Sequence, residues 1–219
     1  MTLKELIVSI SGIMSVSGNE RKNREALQKL IGGAFDEYRT DALGNHLFIK
    51  KCGRKNAPKI LLDAHFDEIG MMVTDITEDG FVRFTNVGGV DTRTLPGAKL
   101  VIYGKKTVQG IVCAMPTKLL GNDPEALPEI GQLCIDTGYG AHELKKMISI
   151  GSSIGFMPTY TSLLGDRIAG KAFDDKACGA CIAHGVDAVK AEDMAGDVYF
   201  LFSAGEETSM MGAITGGAA

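Results

Sequence analysis

Six residues in three separated stretches carry the side chains best suited to polar chemistry. His65 and Asp67 follow the apolar run 59–62, Asp174 and Asp175 precede a helical pattern, and Glu206 and Glu207 follow a second apolar run, 198–202. At the spacing of 65 and 67, an extended backbone puts both side chains on one face. A histidine that offers one ring nitrogen to a metal usually donates its other N–H to a carboxylate, and Asp67 stands where it could accept. Taken singly, each cluster has a purely structural reading. An Asp pair caps a helix, a Glu pair after a strand is solvated charge, and a lone His is a hydrogen-bonded neighbour. Taken together, they match hard divalent cations, which bind carboxylate oxygens and imidazole. A two-metal hydrolytic site also needs a carboxylate between ions about 3.5–4 Å apart and a free base for the attacking water.

The elements that must position these groups emerge from the pattern of apolar residues. Thr2 and Glu5 form a capping box, and Leu3, Leu6, Ile7, Ile10 and Met14 mark one helical face. Asn19 is expected to cap a second helix bearing Leu27, Leu30 and Ile31. Residues 35–40 and 46–50 read as a hairpin about the turn 41–45, ahead of the strand that reaches His65. From residue 70 the chain changes to short strands at 70–76, 81–84, 99–103 and 108–114, with Gly and Pro between them. That texture suggests a small β-barrel or sandwich, with one helix at 141–148. A helix over 175–191, a buried strand over 197–204 and a helix starting at 208 then resume the α/β alternation. The fold class is α/β with an inserted β-barrel-like domain: 1–72, 73–161 and 162–219. In open sheets of this kind, ligands bind at strand ends.

Composition narrows the function. With 23 basic and 27 acidic residues the net charge is −4, which argues against a nucleic-acid or anionic-membrane surface. No apolar run approaches the roughly 18 residues of a membrane span. Glu5, Ser9, Ser11 and Ser15 spoil a signal-peptide reading of the first helix. Five cysteines are no disulfide scaffold and fit a reducing, cytoplasmic compartment. The CxxC of Cys178 and Cys181 lacks a thioredoxin context and a second pair. It is read as small residues packing a helix against the sheet.

Three strings, LLDAHFDEIG, GKAFDDKACG and FSAGEETSMMGA, closely resemble the three motifs of the co-catalytic metallo-aminopeptidases. The branch is that of the glutamyl, deblocking and tetrahedral enzymes, whose inserted domain GGVDTRTLPGAKLVIYG also resembles. The resemblance implies a three-layer, zinc-peptidase-like sandwich with a mixed central sheet. It implies two divalent ions (zinc, cobalt or manganese), peptide substrates and a homo-oligomer assembled through the β module. It makes His65 a ligand of the first metal, tuned by Asp67. Asp174 bridges the ions, Asp175 shapes the turn, Glu206 is the general base and Glu207 is a ligand of the second metal.

Family chains continue past the position of Ala219, where the resemblance places one more acidic ligand and one more His. His46, His142 and His184 lie in the wrong context to replace them. The expectation is therefore a fragment or an interrupted gene product, with the strand 198–202 left as an apolar edge. Two other functions compete with this reading. One is an inactive scaffold of the same fold. The other is a glycosidase, which needs carboxyl groups roughly 5–9.5 Å apart flanking a sugar bond.

Overall fold

The computed structural model describes residues 1–114 and 128–218, and it divides into two units, 1–68 with 158–219, and 69–157.

The first unit begins with helices α1 (Leu3–Ser11) and α2 (Arg24–Ile31), and strands β1 (Glu37–Thr40), β2 (His46–Lys50) and β3 (Lys59–His65). The Thr2–Glu5 capping box closes the start of α1 in both directions, with Thr2 N–H to Glu5 at 2.9 Å and Glu5 N–H to Thr2 Oγ1 at 3.3 Å. Met14 falls outside the apolar face expected for it, because α1 ends at Ser11. Asn19 does not cap α2. A 3-10 turn, Glu20–Asn23, intervenes, and the Asn19 amide donates to the Val16 carbonyl instead.

The second unit holds β4 (Gly70–Ile76), β5 (Val82–Val87), β6 (Lys99–Tyr103), β7 (Thr107–Ala114), β8 (Leu133–Asp136), α3 (Ala141–Met147) and β9 (Ser153–Phe156). Its strands close into a barrel in the order β4-β5-β8-β7-β6-β9. Alternation decides which side chains enter: along β7, Val108 and Val112 are buried while Thr107, Gln109 and Ile111 face out. Gly110 is required there, since a Cβ would stand 2.4 Å from Ile135. Val73, Phe84, Leu100, Ile102, Val112, Ile135 and Ile154 fill the interior.

The chain returns to the first unit with β10 (Tyr160–Ser162), β11 (Ile168–Gly170), α4 (Phe173–Ala188), β12 (Asp197–Ser203), α5 (Glu206–Ser209) and α6 (Met211–Gly217). The last helix expected from residue 208 is thus two short ones, broken at Met210, whose φ is 57°. The main sheet runs β1-β2-β12-β3. The pairs β1–β2 and β2–β12 are antiparallel, and β12–β3 is parallel. It is a mixed sheet. The strand 198–202 is not an edge, because β2 and β3 flank it; among the described residues the outer strands are β1 and β3, and on β3 Ile60 and Leu61 are 41% and 45% exposed.

Phe48, Phe66, Phe200 and Phe202 pack with Leu6, Ile10, Leu27, Ile31, Ala180 and Ala183 of α1, α2 and α4. Gly179 lets α4 approach, since a Cβ there would lie 2.0 Å from the Phe202 ring. Cys178 and Cys181 do not share this role. Both thiols are exposed, and Gly179, Ala180 and Ala183 make the buried face of the helix.

Candidate metal centre

The parallel register of β3 and β12 sets His65 beside Ser203, at the same end of the sheet. Phe66 N–H donates to the Ser203 carbonyl at 2.8 Å and carries the pairing one residue further. Strands that end side by side deliver their next residues to one place, so His65–Asp67 meets the Glu206–Glu207 turn. Gly205 makes the turn possible with φ 67°, a left-handed conformation that suits glycine. The two glutamates leave it within a helical turn, not from extended backbone, and so diverge by about 100°. Asp174 arrives from the start of α4, where it and Asp175 have non-helical backbone angles and share a cis peptide bond.

Ligand atoms of His65, Glu206 and Glu207 all lie within 4.8 Å of one another. His65 Nε2 is 3.1 Å from Asp174 Oδ1 and 3.7 Å from Glu206 Oε2. His65 is 8% exposed, whereas the Asp174 side chain is 89% exposed. The other ring nitrogen is committed: Nδ1–H points at the Asp67 carbonyl oxygen at 3.1 Å, with the carboxylate Oδ1 at 3.6 Å. Asp67 lies just past the end of β3, so its main chain, not the expected carboxylate, accepts this bond.

The carboxylate of Asp67 has a different task. Fully buried, it accepts from Glu206 N–H at 3.0 Å, Glu207 N–H at 3.2 Å and the Ser17 hydroxyl at 2.5 Å. It caps the turn that carries both glutamates. Burial works against its charge, but the nearby His65 ring and the bonds from Ser17, Glu206 and Glu207 outweigh that and hold the carboxyl below its ordinary range. Burial also opposes a charged His65, yet the Asp67 and Asp174 carboxylates raise it to about 9. Glu207 is pushed up by burial, and Asp67, Asp174 and Glu206 add to this against the pull of His65. Four carboxylates crowding one imidazole are a negative excess that divalent cations would neutralise. Oxygen donors with one imidazole are the donor set such ions take.

Several residues that shape the site carry no local signal in sequence. Glu20, buried, accepts from Gly205 N–H at 3.1 Å. Asn45 accepts from Ala204 N–H at 2.8 Å and donates to the Gly212 carbonyl at 3.0 Å, clasping the chain on both sides of the turn. Glu68 pairs with Lys171 and lies 3.4 Å from Lys176, a lysine of 0% exposure that donates to the Ile13 carbonyl at 2.6 Å. Burial depresses Lys176 to about 7, although Glu68 pulls the other way. His46 is engaged elsewhere: Nδ1 accepts from the Tyr38 hydroxyl at 2.7 Å and Nε2–H donates to the Glu20 carbonyl at 2.9 Å. His142 and His184 sit in α3 and α4, outside the grouped ligands.

Residues 44–218 match the model of the M42 glutamyl aminopeptidases. The chain belongs to this family. A putative aminopeptidase of Acetivibrio thermocellus is 35% identical over 96% of this M42 chain and 61% of its own length. A Thermotoga maritima protein described as an endoglucanase superposes with a TM-score of 0.76 at 37% identity, covering 96% of this chain and 61% of that one. The Pyrococcus horikoshii TET1 peptidase, which can assemble into a tetrahedron or a large octahedral shell, gives 0.83 at 27% identity, over 97% and 64%. The M42 chain thus spans about three fifths of the length of these relatives.

Proposed function

We propose that this M42 chain is the part of a metal-dependent aminopeptidase that contributes His65, Asp174 and Glu207 as ligands and Glu206 as general base. One observation carries the reading: the convergence of these four side chains, from three distant stretches, at the shared end of β3 and β12. The substrates would be peptides with a free N-terminus. A pair of divalent ions, zinc, cobalt or manganese, would be the cofactor, and supplies Lewis acidity toward the scissile carbonyl and toward water.

The chain's own residues do the rest. His65 presents Nε2, because Nδ1–H is held by the Asp67 carbonyl. Asp174 and Glu207 supply oxygen donors around it. Glu206 Oε2 takes a proton from the attacking water and returns it to the leaving amine. Asp67 holds the Glu206 and Glu207 main chain in place and is a positioning residue. The three-layer arrangement of the sheet unit and a homo-oligomer are part of the same reading. They are supported by Leu201 lying against Gly216 of α6, on the side of β12 opposite Phe200 and Phe202, and by the assemblies formed by the TET1 peptidase.

The endoglucanase description of one relative favours glycoside hydrolysis as a second reading. There, one carboxyl must stay protonated across the sugar bond from its partner. Glu206 and Glu207 instead crowd the same imidazole. Hydrolysis of aminoacyl-nitroanilides and of β-glucan by the same preparation decides the matter. Peptide hydrolysis that stops with a chelator, returns with zinc or cobalt and falls about 10²–10⁴-fold in Glu206→Gln is expected. Sugar release that survives the chelator overturns the proposal, and metal binding with no hydrolysis of either substrate leaves an inactive scaffold of the same fold.

A further inference from the structure

Two of the five cysteines face each other across the barrel wall. Cys113 of β7 and Cys134 of β8 are direct antiparallel partners, both free and both partly exposed. Residues opposed in this way point to the same side of a sheet. Their neighbours Val112, Leu133 and Ile135 are buried in the barrel interior, so the thiols share its outer face. Val112 directs its N–H to the Ala98 carbonyl at 3.0 Å, and its carbonyl accepts from Gly97 at 2.9 Å. The next residue, Cys113, therefore turns its peptide groups toward β8. A hydrogen-bonded pair of this kind keeps its Cα atoms about 5.5 Å apart, inside the range of about 4.4–6.8 Å that a disulfide spans. Cys134 Sγ already lies 3.9 Å from the Cys113 carbonyl oxygen.

We propose that Cys113 and Cys134 are a modification site, a thiol pair that a peroxide converts into an intrachain disulfide across the outer wall of the barrel. The Cys113 sulfur attacks one peroxide oxygen, the O–O bond breaks and a first water leaves, giving a sulfenic acid. The Cys134 sulfur then attacks Cys113 Sγ and the S–O bond breaks with loss of a second water. Two thiols are oxidised by two electrons and hydrogen peroxide is reduced to two waters. Burial pushes the Cys134 thiol up, with Cys113 adding to it. The bond would tie β7 to β8.

The test uses the full chain, reduced and then exposed to hydrogen peroxide, alkylated and digested for mass spectrometry. The expected result is a fall from five titratable thiols to three, with a Cys113–Cys134 linked peptide. C113S and C134S should each lose that peptide. The double variant C178S/C181S, which removes the exposed pair on α4, should keep it. Recovery of Cys113 and Cys134 as alkylated thiols or as sulfinic acids, or linkage only between Cys178 and Cys181 or between chains, overturns the proposal.

Discussion

At the scale of single residues, Asp67 and Glu206 should separate cleanly in their effects. Asp67 is buried and ties two backbone N–H groups and a hydroxyl, so Asp67→Ala strands three donors at once. Hydrogen bonds to a charged group are worth about 1.5–3 kcal/mol each and are not additive. A loss of about 3 kcal/mol is expected in urea unfolding, together with loss of metal binding. Glu206→Gln touches a partly exposed side chain and should stay within about 0.5 kcal/mol of the parent. Equal stability for the two variants would rule out the capping role of Asp67. His46 offers a pH-dependent counterpart outside the group of candidate ligands. Burial holds it below its ordinary value of 6.5 despite its bond to the Glu20 carbonyl. The folded state favours the neutral ring, so below pH 6.5 the unfolded chain binds more protons. Stability present above that pH is lost as pH falls through the folded value. Urea midpoints measured across the acid side of pH 6.5 should fall less steeply in His46→Gln than in the parent.

At the scale of elements, the candidate site depends on how a strand end and a helix start are held together. Glu68 lies just beyond β3, while Lys171 and Lys176 bracket Asp174 at the start of α4. The Ser15 N–H donates to the same carboxylate at 3.0 Å, and Lys176 also lies 5.3 Å above the Phe66 ring. Removing one partner of a buried pair leaves an uncompensated charge, at a cost of about 3–5 kcal/mol. Glu68→Gln takes the carboxylate from both Lys171 and Lys176 and should show a loss of that size, whereas Lys176→Met leaves Glu68 paired with Lys171 and should cost less. The double variant should lose clearly less than the sum, because the second change removes the charge stranded by the first. Additive losses in a denaturation cycle would show that the two side chains are not coupled. The candidate ligands are legible in the three motifs, since each motif carries its own carboxylate or imidazole side chains. The brace is not, because it joins residues 13, 15, 68, 171 and 176 through pairing that no local periodicity encodes. The same limit explains the misplaced edge strand. Hydrophobicity marks 198–202 as a strand, but only strand order shows that it lies between β2 and β3. Cys178 and Cys181 read as packing residues because Cys, Gly and Ala alternate there. Helical phase, set by the approach of Gly179 to Phe202, turns the thiols outward.

At the scale of the whole molecule, the barrel has the anatomy of an insertion. It carries its own core, separate from the aromatic cluster of the sheet unit. Its first strand, β4, pairs with its last, β9, through Met71 with Ile154 and Met72 with Ser153. The chain therefore enters and leaves the barrel at neighbouring points, the arrangement in which one domain interrupts another at little cost to either. A closed barrel also has no open edge that needs a partner. Residues 69–157 expressed alone should therefore fold. The expected signs are a β-rich circular dichroism spectrum, a single cooperative thermal transition and dispersed amide resonances. The isolated barrel should bind no cobalt, because His65, Asp174, Glu206 and Glu207 all belong to the other unit. A disordered or aggregating 69–157 fragment would mean that its strands close only with support from the rest of the chain.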